Sequence, residues 1–208
     1  QLQQWEERLA SRTWALSDSS ATERRVVVVD IDEKSTQALG AWPWPRDRMA
    51  QLLNGLDAYG VNLKVVDVLF DGEQNSAQDA KLVEAFQANK APTVISQLFA
   101  LSPEAQVKSG QLAGAMDLGQ ASGATSGATA SACPASSTQA FGFMAAAPVF
   151  AQSSQAVGHI TPIVDTDGNI RRVPAVVCYE GNAYPALAVA ALSAATGAQP
   201  IFKTAPGL

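Results

Sequence analysis

The run Val26-Val27-Val28-Val29-Asp30-Ile31-Asp32 decides the fold class. Four successive β-branched residues favour strand, and an apolar run without alternation suits a strand buried on both faces of a parallel sheet. Further along, Leu63 to Phe70 repeats the pattern around Asp67. Between them, Pro45 to Tyr59 reads as a helix. Pro45 fits its first position; Met49, Leu52, Leu53, Leu56 and Tyr59 form an apolar stripe; Gly60 is the stop. Strand, crossover helix and strand predict a right-handed βαβ unit.

The alternation continues outward from that unit. Asp79 is expected to cap a short helix carrying Leu82, Val83 and Phe86, and Thr93 to Leu98 to form a third strand. From Ser102 to Gln139 the chain is rich in Gly, Ala and Ser with little periodicity, which predicts a long excursion and a low-complexity insertion at about 113–140. Val157 to Val164 and Ile170 to Tyr179 flank Asp165-Thr166-Asp167-Gly168-Asn169. Because Asp-Gly favours a tight turn, these predict a β-hairpin. An Ala-rich helix from Tyr184 to Thr196 follows. The fold class is therefore α/β: a single domain with a three-layer-like mixed sheet, a parallel βαβ core, an antiparallel C-terminal hairpin, and helices packed on the sheet. Residues 1–23 are expected to form an N-terminal helix and linker, and 24–208 the domain itself.

Composition narrows the function. Of 208 residues 47% are hydrophobic, enough for a built core, and only 16% are charged. The net charge of -5 and the 14 scattered Lys and Arg argue against a nucleic-acid partner, which needs clustered cations. Ala183 to Ala198 is too short for a membrane span of about 20 apolar residues. The chain itself reads as soluble, with any membrane attachment outside it. Leu2, Leu9 and Leu16, with Trp5 between, make a narrow seam on a helix. Two uses stay open: packing on the domain's own sheet, or a homodimer helix continuing from a membrane span. Cys133 and Cys178 are expected either to form a disulfide or to be two unrelated thiols.

Asp30 and Asp32, two apart at the end of the first predicted strand, share a face. Asp67 lies near the end of the second. If those strands are neighbours, three carboxylates gather where open α/β sheets place ligands. Such crowding requires cations, from Lys34, Arg46 or a metal; the plainer reading is that Asp32 starts a turn and Arg46 neutralises an aspartate. In Trp42-Pro43-Trp44-Pro45-Arg46 the prolines fix an extended path. The indoles require burial, as a plug over the sheet end or as a pocket wall. Arg171 and Arg172 point opposite ways on a hairpin strand, one toward a carboxylate. The candidate ligand-binding set is Asp30, Asp32, Arg46, Asp67, Trp44 and Arg171. His159 is the only histidine, and neither a nucleophile elbow nor zinc-ligand spacing accompanies it. No Gly-rich phosphate loop follows a strand. No catalytic residue, metal centre or cofactor is expected.

Taken together, Val28 to Ser35, Gly40 to Arg46, Gly60, Val65 to Phe70, Asp165 to Pro174, and the helix with Pro185, Ala186 and Leu187 resemble the CHASE-type sensor domain of the second class. The resemblance covers Arg24 to Gly197. It implies an extracytoplasmic sensory module on the periplasmic or extracellular face of a bacterial inner membrane. It also implies membrane helices on either side, an unidentified small molecule or ion as ligand, and a cytoplasmic nucleotide cyclase, histidine kinase, diguanylate cyclase or Ser/Thr kinase as output. The rival enzyme reading is a haloacid-dehalogenase-like magnesium phosphatase using Asp30 and Asp32. Against it, Lys34 stands where Thr or Val is expected, and no acidic pair follows on a later buried strand. A structural or adhesive module is the third class.

Overall fold

The computed structural model describes residues 24–88, 91–116, 133 and 137–200. The seam of Leu2, Leu9 and Leu16, and most of the predicted insertion, lie outside the described residues. The chain divides into two compact units, Gln1–Trp44 with Val164–Arg171, and Pro45–Ile163 with Arg172–Leu208.

The larger unit is built on parallel strands. β1 (Lys64–Val66) and β2 (Thr93–Ala100) pair in parallel, Val66 opposite Ile95. Between them runs α3 (Ser76–Gln87), after α2 (Arg46–Ala58). Two short strands, β3 (Lys108–Ser109) and β4 (Thr138–Gln139), precede β5 (Gly142–Met144), α4 (Pro148–Ser153) and β6 (Ala156–His159). β6 pairs in parallel with the first half of β2, Gln97 opposite His159. β5 takes the second half antiparallel and carries β3 at its far edge. α5 (Leu187–Thr196) packs against β6 and β2. Its Leu187 and Ala190 meet Val94, and a Cβ on Gly158 would lie 2.5 Å from Leu187 Cα, so only glycine admits the helix this close. α2, α3 and α4 gather around Phe70, Phe86 and Phe150, whose ring centroids are 5.7–6.2 Å apart.

Four sequence expectations change. Val26–Asp32 takes no place in a ladder among the described residues. The parallel βαβ unit is β1-α3-β2, one element later than expected. Strand propensity is local, whereas pairing needs a partner edge, and apolar run length cannot supply that information. The predicted hairpin also divides. Its first arm enters the parallel sheet as β6, and only β7 (Ile163–Val164) and β8 (Ile170–Arg172) flank the Asp-Gly turn. The longer antiparallel hairpin joins β9 (Val176–Tyr179) to β10 (Asn182–Pro185). Its two-residue turn, Glu180-Gly181, has φ of 47° and 80°, the positive pair that matches strand twist. Tyr59, expected in the apolar stripe, is the C-cap of α2 and 87% exposed.

β9 also pairs with β4, and Cys178 on β9 is joined to Cys133 by a disulfide with the Cα atoms 5.9 Å apart.

Candidate functional site

In the smaller unit, Asp32 is the N-cap of α1 (Glu33–Leu39). Its Oδ1 accepts from the Ser35 backbone N–H at 2.8 Å and from Ser35 Oγ at 2.7 Å. These hydrogen bonds hold the carboxyl below its ordinary pKa. Asp30 is exposed on the segment just before it. Asp67 is exposed after β1, in the other unit. Among the described residues no three His, Cys, Asp or Glu gather closely enough to hold a metal. The phosphatase reading required Asp30 and Asp32 at the mouth of a buried strand. That strand is not formed, and Asp32 is engaged as a helix cap.

Trp44 is buried, and its indole Nε1–H donates to the Gly40 carbonyl at 2.8 Å. The more exposed Trp42 lies against it edge-on, with centroids 6.1 Å apart. Arg171 binds back to the turn it follows. Nη1 donates to Asp165 Oδ2 and to Asp167 Oδ1, both at 2.9 Å, and Nη2 to Asp167 Oδ2 at 2.8 Å. The Asp165 side chain is 1% exposed. These bonds hold Asp167 well below the usual carboxylate range and raise Arg171 above its ordinary value. The arginine therefore clasps the turn.

Arg46 opens α2 directly after Pro45, and its side chain turns inward. Nη2 donates to the Asp71 and Gly72 carbonyls at 3.3 and 3.5 Å. The guanidinium carbon stands 5.0 and 5.4 Å from the Phe70 and Phe150 ring centroids. Its carboxylate partner is Asp79, with Nε 3.9 Å from Oδ1. Burial lowers the guanidinium's pKa, and Asp79 and Asp71 oppose that. Asp79 does not cap α3; Asn75 does, accepting from Ala77 and Gln78. From one turn inside, Asp79 Oδ2 reaches back to the Gln74 and Asn75 N–H groups at 3.0 and 3.2 Å. The Arg46–Asp79 pair thus fixes the loop between β1 and α3. Asp79 also lines an open recess of about 670 Å³ between α3 and α4, together with Glu73, Val83, Glu84, Val149 and Gln152 among others.

Two polar features escaped the sequence reading. Lys64 Nζ bonds both Asp57 carboxylate oxygens, at 2.9 and 3.0 Å, with side chains 1% and 4% exposed. The available signal was a lysine inside an apolar strand run, which must find a partner. The second is a buried row at the ends of β2 and β6. Gln97 donates to the Ala113 carbonyl at 3.0 Å, and Thr161 Oγ1 accepts from the Phe99 N–H at 2.8 Å. His159 Nδ1 accepts from the Thr161 N–H at 3.3 Å, which assigns the proton to Nε2. His159 is 0% exposed and its Nε2 has no hydrogen-bond partner among the described residues.

Burial alone lowers the His159 pKa from 6.5 to about 4. Unfolding restores the higher value, so the unfolded chain binds the proton first as pH falls. The contribution is intact above pH 6.5 and is lost progressively between pH 6.5 and 4. The full loss is about 3 kcal/mol at 1.4 kcal/mol per unit. Urea unfolding followed between pH 7 and 5 should show this decline, and His159→Gln should flatten it. An unchanged slope in the variant would assign the acid sensitivity elsewhere.

These elements define a mixed α/β domain whose charged side chains serve its own architecture and, among the described residues, assemble no catalytic constellation. A family model for the CHASE2 domain matches residues 1–206, and the chain belongs to that family of extracellular sensory, non-catalytic domains. No curated protein and no solved structure gave a match.

Proposed function

We propose that this chain is the extracytoplasmic sensor of a bacterial membrane-bound signalling receptor. The observation that carries the reading is the CHASE2 match across residues 1–206. The Cys133–Cys178 disulfide supports it, because such bonds persist in oxidising compartments outside the cytoplasm. Among the described residues no helix is long and apolar enough to cross a membrane; in this reading the anchoring helices flank the domain. The signal is a small molecule or ion that favours one of two states, since a ligand transmits only what it binds differently. The output is a nucleotide cyclase or histidine kinase, reached through membrane helices that follow the domain.

With Cys133 and Cys178 bonded and any cysteines elsewhere in the membrane-bound parent replaced, a cysteine placed at exposed Tyr59 gives a single reactive thiol. It is expected to react with a membrane-impermeant maleimide on intact cells. Protection until lysis would refute the placement.

A further inference from the structure

His159 stands where the edge strand β6 meets α5. One edge of β6 pairs with β2, and on the other His159 makes a single parallel bridge to Ala186, the N-cap of α5. Gly158, just before it, lets the helix dock: a Cβ there would also lie 2.8 Å from Leu187 N and 2.9 Å from the Ala186 carbonyl oxygen. The imidazole itself is surrounded by uncharged chain. β2, β10 and α5 pack on β6, and Thr93–Ala100, Asn182–Pro185 and Leu187–Thr196 contain no charged residue. Their one titratable side chain is Tyr184, whose pKa burial raises further. Residues 110–116, which bring Ala113 to Gln97 and Gly114 to Val157, are likewise uncharged. Phe99 lies edge-on to the imidazole, with centroids 6.0 Å apart, and Tyr179 lies beyond Phe99.

We propose that the ion this domain senses is the proton, that His159 is its site, and that protonation releases α5 from β6. The added proton must go to Nδ1, because Nε2 already holds one. Nδ1 then becomes a donor facing the Thr161 N–H, from which it accepts at 3.3 Å in the closed state. The Nε2–H has no acceptor among the described residues, so the imidazolium would meet neither a carboxylate nor water. Such a charge is not tolerated in place. The joint that opens to hydrate it is the weakest one beside it, a one-residue bridge at a sheet edge. In the sensory reading membrane helices follow the domain, and α5 is the last helix among the described residues before them. The proton's role as signal rests on that reading, whereas the release of α5 does not.

Amide hydrogen exchange of the 208-residue chain at pH 7 and pH 5, corrected for the intrinsic exchange rate, tests it. The amides of β6 and α5 should exchange faster than global unfolding, measured in urea at the same pH, allows. A site that titrates near 4 when closed and 6.5 when open should increase that opening about 20-fold between the two pH values. His159→Gln should keep the opening and lose its pH dependence. The wild type supplies a second readout that needs no variant. His159 is the only histidine, so its imidazole resonances are unambiguous and should not titrate near 6.5 in the closed state. Three results would overturn the proposal: β6 and α5 protected to the full extent of global stability at both pH values, an acceleration that His159→Gln retains, or an imidazole that titrates normally in the folded chain. None of these bears on which side of the membrane the domain faces, which the thiol labelling decides separately.

Discussion

Asp57→Ala should lower the unfolding free energy by about 3–5 kcal/mol, the usual consequence of stranding one member of a buried ion pair. The Lys64 side chain is 1% exposed and its ammonium bonds both carboxylate oxygens of Asp57. With the carboxylate gone, an ammonium remains in the interior between the end of α2 and the first strand. The loss arises from that uncompensated charge, because a buried pair compared with a well-packed apolar pair is often near neutral. Adding Lys64→Met to Asp57→Ala should therefore restore most of the stability. Urea denaturation of the four chains in the cycle measures both effects. A single variant that loses less than about 1 kcal/mol, or a double variant no better than the single, would show that the pair is not enclosed as described.

Removing the disulfide should cost about as much, by a different route. Cys133 and Cys178 are 45 residues apart, and closing a loop of that length restricts the unfolded chain by about 4 kcal/mol in the chain-entropy account. The bond ties the segment at Cys133 to β9, whose Val177 and Tyr179 pack with Phe99 and Tyr184 in a core cluster. Alanine at both cysteines is the informative variant, since Cys178 is fully buried and serine would add an unpaired hydroxyl there. The variant should match the wild-type chain unfolded in reductant, and both should fall about 4 kcal/mol below the oxidised chain. Equal midpoints with and without reductant would mean that the bond constrains little.

Much of the secondary structure was legible in the sequence, and much of the pairing was not. α2 follows from Pro45 and the spacing of Met49 and Leu53, both buried in the structure. β2 follows from the apolar run after Pro92, and α5 from its alanines and the Gly197 stop, in left-handed conformation. The fate of Val26–Asp32 was not legible, because four valines specify an extended chain and say nothing about which edge receives it. The candidate site shows the same division. Arg46 was expected to answer a carboxylate, and it does, but Asp79 arrives from a helix whose docking no local pattern encodes. One of Arg171 and Arg172 was expected to meet a carboxylate, and Arg171 meets two, both in the adjacent turn, where sequence distance is short. His159 carried no motif. Its significance comes from complete burial beside Gln97 and Thr161, which only the register of β2 and β6 creates.

The central claim is that this CHASE2 domain faces the outside of the membrane and reports from there. Quantitative labelling of Tyr59→Cys in the full-length parent, on intact cells and after lysis, tests it most directly. The account predicts the same extent of modification in both samples. Modification seen only once the cells are broken would place the domain in the cytoplasm and contradict it.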